Sequence, residues 1–422
     1  MNWPGFVLCG CVALGFLCLV GAMRTTYQKR LIDNLPTSKT TGVFIGYVKL
    51  KGTAETEVSI TSYLAETECV YYYWSVDEHW SRTITETYTD SNGKECKRTR
   101  KEEGWILVDS GCNITYFYLN DECGRILIVP NGAQIEGTTV FWRECDKDDP
   151  LYYGKGPDKT VENSTDRRRF CETAICLHAP ICVMGQARER KDLVAAEIAA
   201  DVNAPMFLIS TRSEKRISAS YAYTLGSIWF LGLLLCVGGF FVHDTMLDMA
   251  PAHLFPFCLP PVGGYLFFTV VGWFWMVYNS LINLRQRVRQ ALSLVDVQLK
   301  RRHDLISNLL CVAKELRDYE RELYTTLAAG LRDLINSHTR ASGHTWITNL
   351  LGLTEAYPEL KSHDVFLSLQ QNLTDTEDRI ALARNYFNDI ATLYNTQLEV
   401  IPVCFVAAFA GLIKEPLIDI ES

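Results

Sequence analysis

The stretch that decides the fold is YNSLINLRQRVRQALSLVDVQLKRRHDLISNLLCVAKELRDYER, residues 278–321, which leaves a long apolar run and becomes a charged helix without a break. Apolar side chains recur at Leu281, Leu284, Val288, Leu292, Val295, Leu299, Ile306, Leu309, Ala313, Leu316, Leu323, Leu327, Leu331 and Leu334. Spacings of three, four and seven keep them on one helical face with a near-heptad period. No proline falls between residues 262 and 342, so a helix of roughly 60 residues, about 90 Å long, is sterically allowed. A helix of that length needs a partner to cover its stripe.

Working outward, three uncharged runs precede or enter this helix: residues 3–23, 217–242 and 261–284. Each is long enough to cross a hydrocarbon core of about 30 Å. The first reads as an anchor rather than a cleaved signal, because its basic residues, Arg24, Lys29 and Arg30, follow the run instead of preceding it. Pro260 and Pro261 suit the first turn of the third. Arg212, Lys215 and Arg216 precede the second run and Arg285, Arg287 and Arg289 follow the third, while residues 243–256 carry no Lys or Arg. The positive-inside rule then places the N-terminus outside and both polar regions on the cytoplasmic side of a bacterial inner membrane or an organelle membrane. On that side the sequons at Asn113, Asn163 and Asn372 stay unglycosylated and the cysteines of residues 24–216 stay reduced.

Residues 42–216 carry short β-rich runs at 43–49, 69–76, 84–88, 105–109, 114–119 and 125–129, separated by Gly, Asn and Asp turn signals. They read as a small antiparallel β domain, a barrel or a sandwich. Residues 146–169, rich in Asp, Lys, Gly and Pro, read as a mobile loop. Residues 187–200 read as a short helix returning to the membrane.

Beyond residue 334, residues 345–357 read as a short helix ended by Pro358. Ser362 is a helix N-cap for a run from His363 to about Val400, stopped by Pro402. Val365, Leu369, Leu373, Ile380, Phe387, Ile390, Tyr394 and Leu398 give this last helix its own stripe, so the two long helices can bury each other. Residues 403–413 are apolar but too short to span. They pack on the bundle or lie in the interface, and the absence of a basic polar face favours packing.

Two resemblances follow from the residues. GYVKLKG (46–52), ECVYYYWSVDEHW (68–80) and ITYFYLNDECGRILIVPNGAQIE (114–136) look like the membrane-adjacent domain of GIDE-type mitochondrial E3 ubiquitin ligases. That family carries a zinc-binding RING after the second span; here only Cys258, Cys311 and Cys404 follow residue 242, far short of paired CxxC spacing. VDVQLKRRHDLISNLL, TEAYPELK and the run from FLSLQQNL to NTQLEVIP resemble the LemA family of bacterial membrane proteins over residues 278–413. The resemblance implies long antiparallel helices beside the membrane. Its pattern positions are Asp296, Gln298, Arg301, Arg302, His303 and Asp304 in the first helix, Tyr357 and Pro358 in the connection, and Glu377, Arg384, Asn388, Tyr394 and Asn395 in the last.

The chemistry is sparse. Asp296, Lys300 and Asp304 form an i, i+4 ladder, so Arg301-Arg302-His303-Asp304 reads as a solvated face, with Arg301 or Arg302 free to pair with Glu377 or Asp378 across an antiparallel helix. Cys171, Cys176, His178 and Cys182 are a weak metal signal; a buried reduced cluster, or a disulfide if the topology is inverted, is the favoured reading. No GxGxxG, Walker A, HExxH or GxSxG motif is present. Forty-one basic against 49 acidic side chains give no drive toward nucleic acid.

The expectation is an α+β membrane protein with three transmembrane helices, a small antiparallel β domain and a C-terminal antiparallel long-helix bundle. Its parts are an anchor (1–23), a β-rich membrane-adjacent domain (24–216), spans at 217–242 and 257–284 around an outer loop (243–256), a bundle (278–413) and a tail (414–422). The expected role is a non-enzymatic scaffold with no catalytic, metal or cofactor site. Its expected partners are the lipid bilayer, further copies of itself and unidentified proteins, with no nucleic acid. A ubiquitin-transferase-like enzyme is the alternative.

Overall fold

A computed structural model describes residues 3–43, 46–89, 95–190, 196–202, 204–246, 254–316 and 364–418. The chain divides into two units: residues 37–216, and residues 1–36 together with 217–422.

Alternation with period two builds the first unit. Strands β2 (Gly46–Glu55), β6 (Phe117–Asn120), β7 (Arg125–Ile128), β12 (Ala196–Ala199) and β11 (Pro180–Glu189) pair in that order, and β11 pairs back to β2, which closes a five-stranded barrel. Val48, Leu50, Phe117, Leu119, Ile126, Ile128, Val183 and Ile198 fill it. The neighbours in this ring are antiparallel except β7 and β12, which run parallel with Glu197 opposite Leu127. Around the ring, β1 (Thr37–Ser38) lies parallel to β2, β13 (Leu208–Ser210) antiparallel to β11, and β8 (Gln134–Glu136) parallel to β13.

A second, antiparallel sheet runs β3 (Ile60–Thr61), β4 (Glu68–Thr89), β10 (Ser164–Cys176), β9 (Thr138–Asp146), with β5 (Glu95–Ile114) also paired to β4. β4 absorbs two of the expected strands, and its ladder with β5 extends from Tyr71 opposite Ile114 to Thr89 opposite Glu95. The expected small antiparallel β domain is therefore corrected: the unit holds a closed barrel of mixed strand direction plus a second open sheet. The parallel pairings join strands far apart in sequence, and residue alternation carries no information about partner or direction.

Two further expectations fail here. Residues 187–200 form the end of β11 and then β12, not a helix, because Ala187 and Ile198 are inward-facing barrel residues. Residues 146–169 hold a short helix, α2 (Pro150–Gly154), capped by Asp149 and tied down by a buried arginine. On β10 the period-two face carries Arg168, Phe170, Glu172 and Ala174 inward. Arg168 is 0 % exposed, and its guanidinium donates to Glu78 Oε2 at 3.0 and 3.1 Å and to the carbonyls of Tyr152, Pro157 and Lys159 at 2.7, 2.8 and 3.1 Å. It also lies 3.9 Å from the Tyr152 ring centroid. A polar sequence looks mobile until a buried cation uses its carbonyls as acceptors.

In the other unit, α1 (Trp3–Asp33), α3 (Glu214–Met246) and α4 (Leu254–Leu316) include three helices long and apolar enough to cross a membrane. Small residues allow close approach: a Cβ on Gly15 would stand 3.0 Å from the Gly232 carbonyl oxygen, and one on Gly232 3.0 Å from that of Gly15. Tyr265 donates to the Trp229 carbonyl at 2.8 Å, Phe16 meets Tyr265 and Phe268 edge-on, and Asn34 donates to Ser280 at 2.8 Å. Contacts of Phe16 with Tyr265 and of Asn34 with Ser280 show α1 and α4 running the same way.

α4 is one helix of 63 residues, so the third apolar run and the charged stretch are a single rod. It begins ahead of the prolines rather than at them. Pro260 and Pro261 lie inside it, where their missing donors free only carbonyls in the first turn. The next described helices are α5 (Asp364–Glu399) and α6 (Val403–Phe409). The expected helix at 345–357, its end at Tyr357 and Pro358, and the stripe beyond Leu316 lie outside the described residues.

Candidate functional site: the helix pair and its clamped tail

α4 and α5 pack along a seam. On α4 the buried positions are Val277, Leu281, Leu284, Val288, Ala291, Val295 and Gln298, alternating four and three apart; on α5 they are Leu373, Thr376, Ile380, Ala383, Phe387, Ile390 and Tyr394. Alternation of three and four keeps one narrow face in register along both rods. Arg302 Nε lies 3.2 Å from Glu377 Oε1 near one end, and toward the other Arg285 lies 4.0 Å from Glu415, whose carbonyl accepts from Asn395 of α5. Contacts that climb on α4 descend on α5, so the pair is antiparallel. The stripe read from sequence is corrected at two positions. Leu292 is 43 % exposed and Leu299 half-buried; Ala291 and Gln298, each one residue earlier and one heptad apart, take the seam positions instead, because heptad position and not side-chain apolarity decides which residue faces the partner helix.

Polar groups enter this seam. Gln298 is buried and Tyr394 is 0 % exposed; among the described residues no hydrogen bond reaches Gln298 Oε1 or the Tyr394 hydroxyl. Burial pushes the Tyr394 hydroxyl up from its ordinary value. Asp296, Arg301, His303 and Asp304 are exposed, on the outside of the pair. Glu377 and Arg384 are half-buried on α5.

The remaining pattern residues do something the sequence did not announce. Asn395 donates to the Glu415 carbonyl at 2.8 Å and accepts from the Glu415 amide at 2.9 Å. Asn388 makes the same two bonds to Ile418, at 2.8 and 2.9 Å. A primary amide presents a donor and an acceptor side by side, so each asparagine pairs with the chain as a neighbouring strand would. The spacing matches: seven helical residues advance roughly 10 Å, as do three extended ones. Glu415 also stands 4.0 Å from Arg285. The tail, set apart by sequence alone, is clamped to the helix pair; two asparagines one heptad apart were the available signal.

Where α5 ends, a cleft of about 540 Å³ opens among the apolar helices. Leu19, Met23, Trp229 and Trp273 line one part of it, and Thr26, Arg30, Asn34 and Gln397 another. Lys29 at its edge is paired with Asp33 at 2.6 Å.

Cys171, Cys176, His178 and Cys182 are not assembled into a centre. Among the described residues no group of three or more His, Cys, Asp or Glu is placed to hold a metal. His178 contacts Glu55 at 2.8 Å, and burial pushes the Cys182 thiol up to about 11. Cys176 instead stands opposite Cys69 across β10 and β4. All four cysteines of this region, Cys69 included, are free thiols.

The class defined by these features is a chain with, among the described residues, three helices long and apolar enough to cross a membrane, one of which continues into a polar helix pair that holds its own tail. Comparison with protein families places it further. Residues 291–422 match the LemA family and residues 85–242 match the GIDE family, described as an E3 ubiquitin ligase. The LemA match includes the clamped tail. No curated protein and no solved structure matches the chain.

Proposed function

We propose that the chain is a non-enzymatic membrane scaffold that self-associates or organises partner proteins along the outer face of the α4–α5 pair. The proposal has the N-terminus outside and both polar regions on the cytoplasmic side. The observation that carries it is the continuity of α4, one 63-residue rod from apolar segment to seam, which couples anything bound to the pair rigidly to the bilayer. Leu292 and Leu299, one heptad apart, lie off the seam, the first 43 % exposed and the second half-buried, a place for coiled-coil-like contact with another helix. The test is a photo-crosslinking amino acid at residue 292 in membranes of the full chain. Discrete adducts, lost when Leu299 becomes Asp, are expected; a strictly monomeric protein with no adducts at all overturns the reading.

The family description of residues 85–242 favours one other reading, ubiquitin transfer. Incubation of the purified chain with activating and conjugating enzymes and ubiquitin decides it. Ubiquitin chains formed without a separate RING protein would establish it over the scaffold.

A further inference from the structure

We propose that residues 400–413 form a re-entrant hairpin buried in the hydrocarbon of the bilayer beside α4, so that the helix pair is anchored at both of its membrane-proximal ends. The stretch VIPVCFVAAFAGLI is uncharged from Val400 to Ile413 and is bounded by Glu399 and Lys414. Those two side chains form an ion pair across its neck. Val403, Val406 and Ala407 face inward, while Ile401, Phe405, Phe409 and Ile413 are 75 %, 69 %, 82 % and 75 % exposed. In water that outward face would be a contiguous apolar patch, which soluble surfaces avoid.

Position along α4 assigns the solvent. The Phe409 ring meets Phe274 edge-on at 5.7 Å, whereas Glu415, a few residues further on, is back beside Arg285. Phe274 precedes Arg285 by eleven residues, roughly 16 Å along a helix. Phe409 is therefore well inside the apolar segment of α4. The exposed face of α6 continues the belt formed there by Phe267, Val270, Val271 and Trp275, also exposed, and an apolar belt on a spanning helix faces lipid. The sequence reading favoured packing on the bundle because residues 403–413 lack a basic polar face. That criterion applies to a helix lying in the interface, not to a loop that dips and returns.

Non-helical backbone in hydrocarbon must satisfy its own polar groups, and this turn pairs several of them at its bends. α5 and α6 are bent by 95° at the break between them. Across it the Val400 amide donates to Thr396, the Cys404 amide to Val400 and the Phe405 amide to Pro402. At the far end Gly411 adopts φ +62°, and the amides of Gly411 and Leu412 donate to the carbonyls of Ala408 and Ala407 at 3.2 and 3.1 Å. This is a Schellman closure, which returns the chain with the last helical carbonyls paired.

The experiment uses the full chain in lipid vesicles with a hydrophobic diazirine dissolved in the acyl chains, photolysed and mapped by mass spectrometry. The peptide spanning residues 400–413 is expected to be labelled as heavily as residues 262–278. Changing Phe405 and Phe409 together to Glu is expected to abolish that label and leave the label on residues 262–278 and the helical circular dichroism unchanged. If residues 400–413 of the wild-type chain carry no more label than the polar outer face of α5, the proposal is wrong. It is equally wrong if a crosslinker placed at Phe405 joins a second protein chain rather than lipid.

Discussion

Replacing Asn395 by Ala removes a donor and an acceptor that hold Glu415, and leaves the seam of α4 and α5 untouched. Each intramolecular hydrogen bond contributes about 0.5–1.5 kcal/mol net, so the pair should contribute about 1–3 kcal/mol to holding the tail at that point. Amide exchange reads this directly, because the Glu415 amide is one of the two bonds broken. At about 1.4 kcal/mol per tenfold, its exchange should quicken by roughly five- to 150-fold, if exchange occurs through local opening. Asn388→Ala should do the same to the Ile418 amide. Asn388→Asp is the discriminating control: the carboxylate still accepts from the Ile418 amide but can no longer donate to its carbonyl, so protection should fall by less than in the alanine variant. Residue-resolved exchange on the full chain in lipid nanodiscs is the measurement. A change of under about twofold at Glu415 in Asn395→Ala would sink the clamp, since even one lost bond exceeds it.

Other consequences are more local. Arg168→Met leaves the buried Glu78 carboxylate without its cation, with only the Tyr152 and Ser164 hydroxyls donating to it, and loss of one partner from a buried pair costs about 3–5 kcal/mol; thermal unfolding of the residue 37–216 unit should shift accordingly, and proteolysis should appear between residues 155 and 160. Glu214 bridges Lys49 at 2.5 Å and Lys51 at 2.7 Å. Burial opposes its ionisation, but hydrogen bonds and charge from the two lysines prevail and hold its carboxyl below the usual range. Its contribution to stability is therefore complete above the ordinary glutamate pKa near 4.5 and is lost as pH falls through the lower folded value. Acid unfolding followed by fluorescence should lose that component of its pH dependence in Glu214→Gln. Val295→Asp puts a carboxylate into the seam and should cost about 3 kcal/mol or more by circular dichroism melts, whereas His303→Ala, on the outer face, should cost less than about 1 kcal/mol.

Much of the helical unit was legible in sequence because its signals are local. Uncharged runs longer than a bilayer core and stripes of apolar residues three and four apart depend only on neighbours in the chain, and they located α1, α3, α4 and α5. Strand runs were legible for the same reason, as the alternation in β6 and β7 shows. What sequence could not supply was partnership. That β11 returns to β2 and that β7 lies parallel to β12 are contacts between distant segments, and they turned an expected small antiparallel domain into a closed barrel with a second sheet.

The same division runs through the candidate site. Asn388, Asn395, Arg302 and Glu377 stood out as a pattern, yet a pattern carries no geometry. Only when α5 lies against α4 do the two asparagines face the tail at matching rise, and only then does Arg302 reach Glu377. Composition determined that residues 400–413 are apolar and too short to span. Their depth beside Phe274 was decided by tertiary structure, because depth is set by where the neighbouring rod crosses the bilayer and not by any property of the fourteen residues themselves.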